Sequence, residues 1–375
     1  MRIKHLGRLV VAAVVAAGLS VSAAGCSTAV PGAGKEITVK IGITPYFEYQ
    51  PWVIAHELGL DKEQGINLEF TNYDNSAKAA VAAYRGDIDL ASNYLAGSFA
   101  LMKQLPTLQD FMITNQFKGF ILIGRAGEAT SYEELTKTGN ESDAKDQILK
   151  SLKGKTFDIV QPNYQALLSS ALDQVGLSID DIKINNFATD AQAAVAFEGG
   201  TGDYYIGGLP QEAKMLQTPG KYVKVGGSEV LGPAALWFSS MAAKKSWLDA
   251  NATTADKLLA IWYRTMRYLQ EKPEKAMPLF TAAVNKATSS SLSVETVTSI
   301  VTSLERFATL PQAQKEFYDS SSATYYKTSA DFYVKENKSV LPADYDESAS
   351  ISAPKHIQRL VTDTSLVEWI DKPLS

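Results

Sequence analysis

The chain reads as an α/β protein of two lobes with additional C-terminal helices. Three observations predict this. Short β-branched runs alternate with helical stretches from residue 37 onward, the alternation breaks and then restarts at residue 156, and from residue 247 the strand patterns cease. Alternation of this kind predicts an open sheet with helices on its faces. A chain of 375 residues is long enough for two such units.

The first unit opens with a β-branched, alternating run at 37–43, ITVKIGI. Two prolines and four aromatics then punctuate the loop Thr44-Pro45-Tyr46-Phe47-Glu48-Tyr49-Gln50-Pro51-Trp52. A helix follows over 52–60, stopped near Gly59, and a strand over 66–70. Asn75 or Ser76 caps a helix over 77–85 that ends at Gly86. A strand over 88–91 leads through Ser92-Asn93-Tyr94 to a helix reaching 103. Apolar runs at 108–116 and 119–124 follow, and the polar stretch 127–153 reads as an insertion with a capped helix start at Ser131.

The second unit resumes with a strand at 156–160, a loop Gln161-Pro162-Asn163-Tyr164 and a helix over 165–175 closed by Gly176. A strand at 182–187, a helix at 191–197 capped by Thr189 or Asp190, and a strand at 203–206 come next. A Gly207-Gly208-Leu209-Pro210 turn then opens a helix to 216. Residues 223–240 hold two further strands. Helices are expected over 255–270, 274–284, 294–307 and 329–338.

The N-terminus carries a different signal. A basic stretch containing Arg2, Lys4 and Arg8 precedes eleven residues at 9–19 with nothing polar, and Ala23-Ala24-Gly25-Cys26 ends the segment. This is the order of a secretory signal peptide, and the last four residues resemble the lipobox of bacterial lipoproteins. The resemblance implies cleavage after residue 25 and lipidation of Cys26, the only cysteine in the chain. Simple secretion by cleavage at an A-x-A site is the alternative. A membrane span is not, because about 20 apolar residues are needed for one. Residues 26–36 read as a flexible tether.

Loss of residues 1–25 takes the formal charge from -5 to -8. A mildly acidic chain gives nucleic acid no footing. Loss of the leader leaves His56 and His356 as the only histidines, which argues against a His-based triad or a His-ligated zinc site, and no metal centre is expected. No G-x-S-x-G elbow is present, no cofactor is expected, and the protein is read as a monomer and not as an enzyme.

Several runs resemble a known family. Pro51-Trp52-Val53-Ile54-Ala55-His56-Glu57-Leu58-Gly59-Leu60 precedes Glu63-Gln64-Gly65-Ile66-Asn67-Leu68. Arg85-Gly86-Asp87-Ile88-Asp89-Leu90-Ala91 comes next, then Leu152-Lys153-Gly154-Lys155, Leu172-Asp173-Gln174-Val175-Gly176-Leu177, Asp180-Asp181-Ile182 and Gly202-Asp203-Tyr204-Tyr205. In this order they resemble the substrate-binding proteins of ABC importers in the nitrate, sulfonate/taurine and thiamine-pyrimidine-precursor group. The resemblance implies a type II periplasmic-binding-protein fold with a solute site between lobes that close about a hinge. Lobe 1 would comprise 37–118, lobe 2 119–228, and 229–375 would return to lobe 1, with crossovers near 116–122 and 224–234.

It further implies a lipid-anchored protein on the outer face of the membrane that serves permease and ATPase subunits. The solute would be a small organic one: a sulfonate, a pyrimidine precursor or a similar heteroaromatic. A solute-sensing lipoprotein without transport is the alternative. A pyrimidine-synthesising enzyme of the same fold is a second, against which stands the absence of that group's cysteine-rich motif.

Ligands of open α/β sheets bind beyond the carboxyl ends of the strands. That places Tyr46, Phe47, Tyr49, Trp52, Asn93 and Tyr94 of the first unit, and Asn163, Tyr164 and Asp190 of the second, at the candidate site. Glu48, Asn75, Thr189 and Gln211 share these loops. Aromatic faces would hold a flat or alkyl surface, and Tyr and Asn would direct it. Trp52 is read equally as a core residue, Asn93 and Asn163 as helix caps, and Asp190 as the cap of its helix. Helix starts after 75, 93, 163 and 189 would offer N–H groups to an anionic head group. No Lys or Arg falls in these loops; Lys118, near the first crossover, is the nearest.

Overall fold

The computed structural model describes residues 36–374 apart from Pro219, Leu236, Ala323, Asn337, Ser339 and Val340, and without the side chains of Pro162, Asn163, Pro210, Pro233 and Glu336. The expected leader, the lipidated Cys26 and all of the tether but residue 36 lie outside the described residues.

Eleven strands form two sheets among the described residues. They are β1 Ile37–Ile43, β2 Ile66–Asn72, β3 Leu90–Tyr94, β4 Leu108–Phe117, β5 Leu122–Arg125 and β6 Thr156–Ile159. The rest are β7 Lys183–Asn186, β8 Tyr204–Tyr205, β9 Tyr222–Gly226, β10 Trp237–Lys244 and β11 Glu305–Arg306. The first sheet has the order β11-β4-β10-β3-β1-β2 and the second β7-β6-β8-β5-β9.

Each sheet has a parallel set: β1 lies between β2 and β3, with Val39 opposite Leu68, and β6 lies between β7 and β8. Besides the short edge strand β11, which is antiparallel to β4, two strands run against them. β10 is antiparallel to β3 and β4, and β5 is antiparallel to β8 and β9. These are the first strands after each passage from one sheet to the other, at residues 118–121 and 227–236. A chain that leaves one sheet at the carboxyl end of a strand and starts the next at the facing edge must run backwards through it. The carboxyl ends of both parallel sets therefore face the same cleft, and both crossovers pass through it.

Local chemistry fixes the segments at the cleft. The Asn75 side chain accepts from the Lys78 N–H and caps the helix Ser76–Arg85, which Gly86 ends at φ 86°, a left-handed value that glycine adopts without strain. Thr189 accepts from the Gln192 N–H and caps Asp190–Glu198. Asp190 is thus the first helical residue, and its carboxylate is released from the capping role that the sequence left open.

Some expectations need correction. Residues 161–164 are not a loop: the helix spans Gln161–Asp173, with Pro162 in its first turn. A missing N–H costs nothing there. The third strand lies two residues later than expected, so Asn93 and Tyr94 belong to it and pair with Ser240 and Ser239. The stretch 127–153 holds two helices, Tyr132–Thr136 and Glu141–Ser151.

The C-terminal part is more helical than the sequence suggests. The long helix Ala252–Glu271 packs on the first lobe, where Trp52 meets Trp262 at 5.2 Å between ring centroids. The helix expected over 294–307 ends at Leu304 and becomes β11 on the edge of β4. Two unexpected helices, Ala353–Thr362 and Thr364–Asp371, close the chain. Arg264 Nη1 donates to the carbonyls of Trp369, Ile370 and Lys372 at 2.6, 3.2 and 3.0 Å, pairing groups that the end of a helix leaves without partners. Among the described residues no helix is long and apolar enough to cross a membrane.

Candidate functional site: the cleft between the lobes

The loop after β1 supplies the first wall. Its extended Tyr46 leads into a single 3-10 turn, Phe47–Tyr49, and Pro51 starts the helix Pro51–Glu57. Phe47, Glu48 and Tyr49 are thereby held under the ends of β3 and β10. The Tyr49 hydroxyl donates to the Asn93 carbonyl, and Ser239 Oγ donates to Glu48 Oε1 at 3.3 Å.

The second wall is aromatic and belongs to both lobes. Tyr94 stacks on Trp237 at 4.5 Å and 30°, while Phe120 of the first crossover meets Trp237 edge-on at 4.9 Å, Phe117 at 4.8 Å and Tyr164 at 5.8 Å. Edge-on contacts at these separations suit the ring quadrupoles.

The floor is the loop after β8. A Cβ on Gly208 would stand 3.0 Å from Asp190 Oδ2 and 3.3 Å from Tyr46 Cε1, so a side chain here would push both neighbours back by a few tenths of an ångström. Asp190 accepts from the Tyr164 hydroxyl at 2.9 Å, and Tyr46 of the opposite lobe also hydrogen-bonds it. A second link spans the cleft where Asn75 Nδ2 donates to the Ala188 carbonyl at 3.2 Å.

These groups enclose a cavity of about 30 Å³, space for one or two waters rather than a solute. Outside it, with Tyr46 as the shared wall, lies a groove of about 630 Å³ bordered by Val53, Phe70, Tyr73, Thr189, Gln211 and Lys286. The groove has room, but the convergent polar and aromatic groups are in the cavity, which makes the cavity the candidate site and the groove its candidate approach. The lobes are in contact across it, so admission of a solute requires them to part.

The charges are of one sign. Burial raises the Glu48 carboxyl to about 7, against the pull of its own backbone N–H and Ser239, and Asp190 adds to the rise. Burial also raises Asp190 to about 6, in spite of the bonds from Tyr164, Tyr46 and the Gly208 N–H. Glu305, behind Glu48 and bonded by Asn115 Nδ2, is pushed upward by burial and then by Glu48. Glu212 is raised by burial and Asp190, although Gly207 N–H lies 3.4 Å from its Oε1.

Of the residues predicted from sequence, Tyr46, Phe47, Tyr49, Tyr94 and Tyr164 line the cavity, and Asp190 joins Tyr46 to Tyr164 beside it. Trp52 and Asn93 turn elsewhere. Trp52 is core against Trp262, and the Asn93 amide donates to Ser98 Oγ at 2.7 Å and Asp110 Oδ1 at 2.9 Å inside the first lobe. Asn163 lies within a helix rather than at its start, and its side chain is outside the described residues. Lys118 is exposed and does not line the cavity. Sequence reasoning passed over Phe117, Phe120 and Trp237. Their signal was available: all three flank the crossovers, and a crossover between lobes must traverse the cleft.

A family model described as the NMT1-like family matches residues 32–283. The chain belongs to the NMT1-like family. Among solved structures it is similar to the periplasmic nitrate-binding protein NrtA from Synechocystis PCC 6803, at 14% identity and TM-score 0.63, over 91% of this chain and 92% of that one. It is also similar to the periplasmic aliphatic sulphonate-binding protein SsuA from Escherichia coli, at 16% identity and TM-score 0.57, over 87% and 99%. A third is the ligand-binding component of an ABC-type import system from Staphylococcus aureus, solved with zinc bound, at 15% identity and TM-score 0.61, over 85% and 98%. At such identities the likeness is one of fold, and it is the two-lobed periplasmic-binding-protein fold expected from the sequence. A search of curated proteins finds no match.

The raised carboxyls set a pH dependence. Glu48 ionises near 4.5 in an unfolded chain and at about 7 in the fold. Between those values the folded state binds more protons, so stability falls as pH rises through the window and the full penalty stands above it. A shift of this size corresponds to roughly 3 kcal/mol. Glu48→Gln is therefore expected to raise stability at pH 8 by about 2–3 kcal/mol and to leave it unchanged at pH 4. Denaturant titrations at the two pH values check this; an equal effect at both would refute it.

Proposed function

We propose that this protein captures a small organic solute between its lobes and delivers it to the permease and ATPase subunits of an ABC importer. The single observation that carries the reading is the closed aromatic cavity at the two crossovers, whose walls come from both lobes. A site so divided is complete only when the lobes meet, so solute affinity and closure are the same event. A permease that recognises the closed form would thereby distinguish loaded from unloaded protein. The fold neighbours, whose names describe periplasmic solute-binding components of import systems, support this reading. No nucleophile–base pair is part of it, and the protein acts by binding rather than by turnover.

The lipobox-like Ala23-Ala24-Gly25-Cys26 supports the further reading that a lipid on Cys26 anchors the protein on the outer face of the membrane. Two or more acyl chains hold a protein there stably, whereas one does so only marginally. The tether then keeps the trap within reach of its permease.

Two experiments test this. A thermal-shift screen of amines, heteroaromatics, pyrimidines and sulfonates should find a stabilising solute, because a ligand at a hundred times its Kd adds about 2.7 kcal/mol to the folded state. Conversion of that solute by the pure protein would reject the binding role. Separately, a fatty-acid probe fed to expressing cells should label the protein, and Cys26→Ala should abolish the label. Labelling that persists in the variant would remove the anchor.

A further inference from the structure

Of the cleft carboxyls, Glu212 feels Lys224, whereas no Lys or Arg acts on Asp190, Glu48 or Glu305. Asp190 is 5% exposed, and its Oδ1 has no hydrogen-bond partner among the described residues. Glu305 Oε1 is likewise buried without one. Glu48 stands between them, with Ser239 as its side-chain donor, and no Lys or Arg lines the cavity. Lys286 borders the outer groove, which Asp190 also reaches, together with Glu57 and Asp74.

A buried carboxylate without a countercharge is costly. The aromatic faces around it act in the same direction: each ring presents a negative face, which attracts a cation and repels an anion. Tyr46, Tyr94, Tyr164, Phe120 and Trp237 provide such rings within one cavity. Among the described residues no three acidic, His or Cys side chains are grouped so as to hold a metal ion. The charge to be matched is thus diffuse and large rather than a point charge, and it is spread over apolar surface.

Resting on the capture reading above, we infer that the solute is an organic cation, an ammonium or protonated nitrogen heterocycle, held by the aromatic walls and countered by Asp190 and Glu48. This narrows the sequence expectation to its nitrogenous members, since a sulfonate would bring a fixed negative charge among four carboxyl groups.

Calorimetry on the full-length chain at pH 8 tests the inference with two cations and their uncharged carbon isosteres: choline with 3,3-dimethylbutan-1-ol, and 4-aminopyridine with aniline. 1-Butanesulfonate is the anionic probe. At least one cation should bind on the order of 30-fold or more tighter than its isostere, as expected when a buried charge gains its partner. Asp190→Asn and, separately, Glu48→Gln should each weaken that cation at least about tenfold more than they weaken its isostere, in variants whose circular dichroism matches the parent. Two results would overturn the inference: neither cation exceeding its isostere, or both variants keeping full cation affinity. Binding of butanesulfonate with exclusion of the cations would sink the cation assignment alone and leave solute capture standing. Failure of this panel and of the wider solute screen to bind would remove both.

Discussion

The carboxylate of Asp190 is the point on which the cleft depends. It is drawn from water at the first turn of a helix and is reached by Tyr164 from its own lobe and by Tyr46 from the other. A group of this kind is tolerated only where its bonds are supplied, so the arrangement of its neighbours follows from it. Thr189 takes the capping role so that Asp190 need not, Gly208 has no side chain to push Asp190 and Tyr46 back, and the first turn of the Gln161–Asp173 helix delivers Tyr164. Because one of its donors belongs to the opposite lobe, a local hydrogen bond becomes a contact that closes a domain pair.

Topology explains why these groups meet at all. The antiparallel entry of β5 and β10 turns the carboxyl edges of both sheets toward each other, and the crossovers lay Phe117, Phe120 and Trp237 across the gap. A core built without disulfides supports the arrangement. The long C-terminal helix Ala252–Glu271 backs the first sheet through the Trp52–Trp262 contact, and Arg264 ties the end of the chain to that helix. The site is divided between the lobes, while each wall is packed into its own lobe.

Much of this was legible in the residues. Period-2 runs and glycine stops located β1, β2, β6 and the helix Ser76–Arg85, and the family motifs supplied the two-lobed plan. The aromatic loop 46–49 was recognised because loops beyond strand carboxyl ends are where open sheets bind ligands. What failed did so for local reasons. Pro162 looks like a loop signal until it is placed in a first helical turn. Trp52 and Asn93 have the chemistry of ligand groups, yet their directions are set by partners more than 200 and 17 residues away, Trp262 and Asp110, which no local pattern reveals. The late helices Ala353–Thr362 and Thr364–Asp371 are short, and their apolar faces make sense only against what they cover, the Ala252–Glu271 helix and, for the first, β4. The acidic character of the cleft was missed because Glu48 was noted only as sharing the aromatic loop and Glu305 and Glu212 lie far away in sequence.

The central claim is that the Asp190 contact holds the lobes together across the cleft. Val81 lies exposed on the helix Ser76–Arg85 of the first lobe and Val195 on Asp190–Glu198 of the second. Spin labels placed by Val81→Cys and Val195→Cys report the separation directly by pulsed electron resonance. The account predicts one short distance in the parent chain and a substantial longer-distance population after Asp190→Ala. An unchanged distance distribution would contradict it.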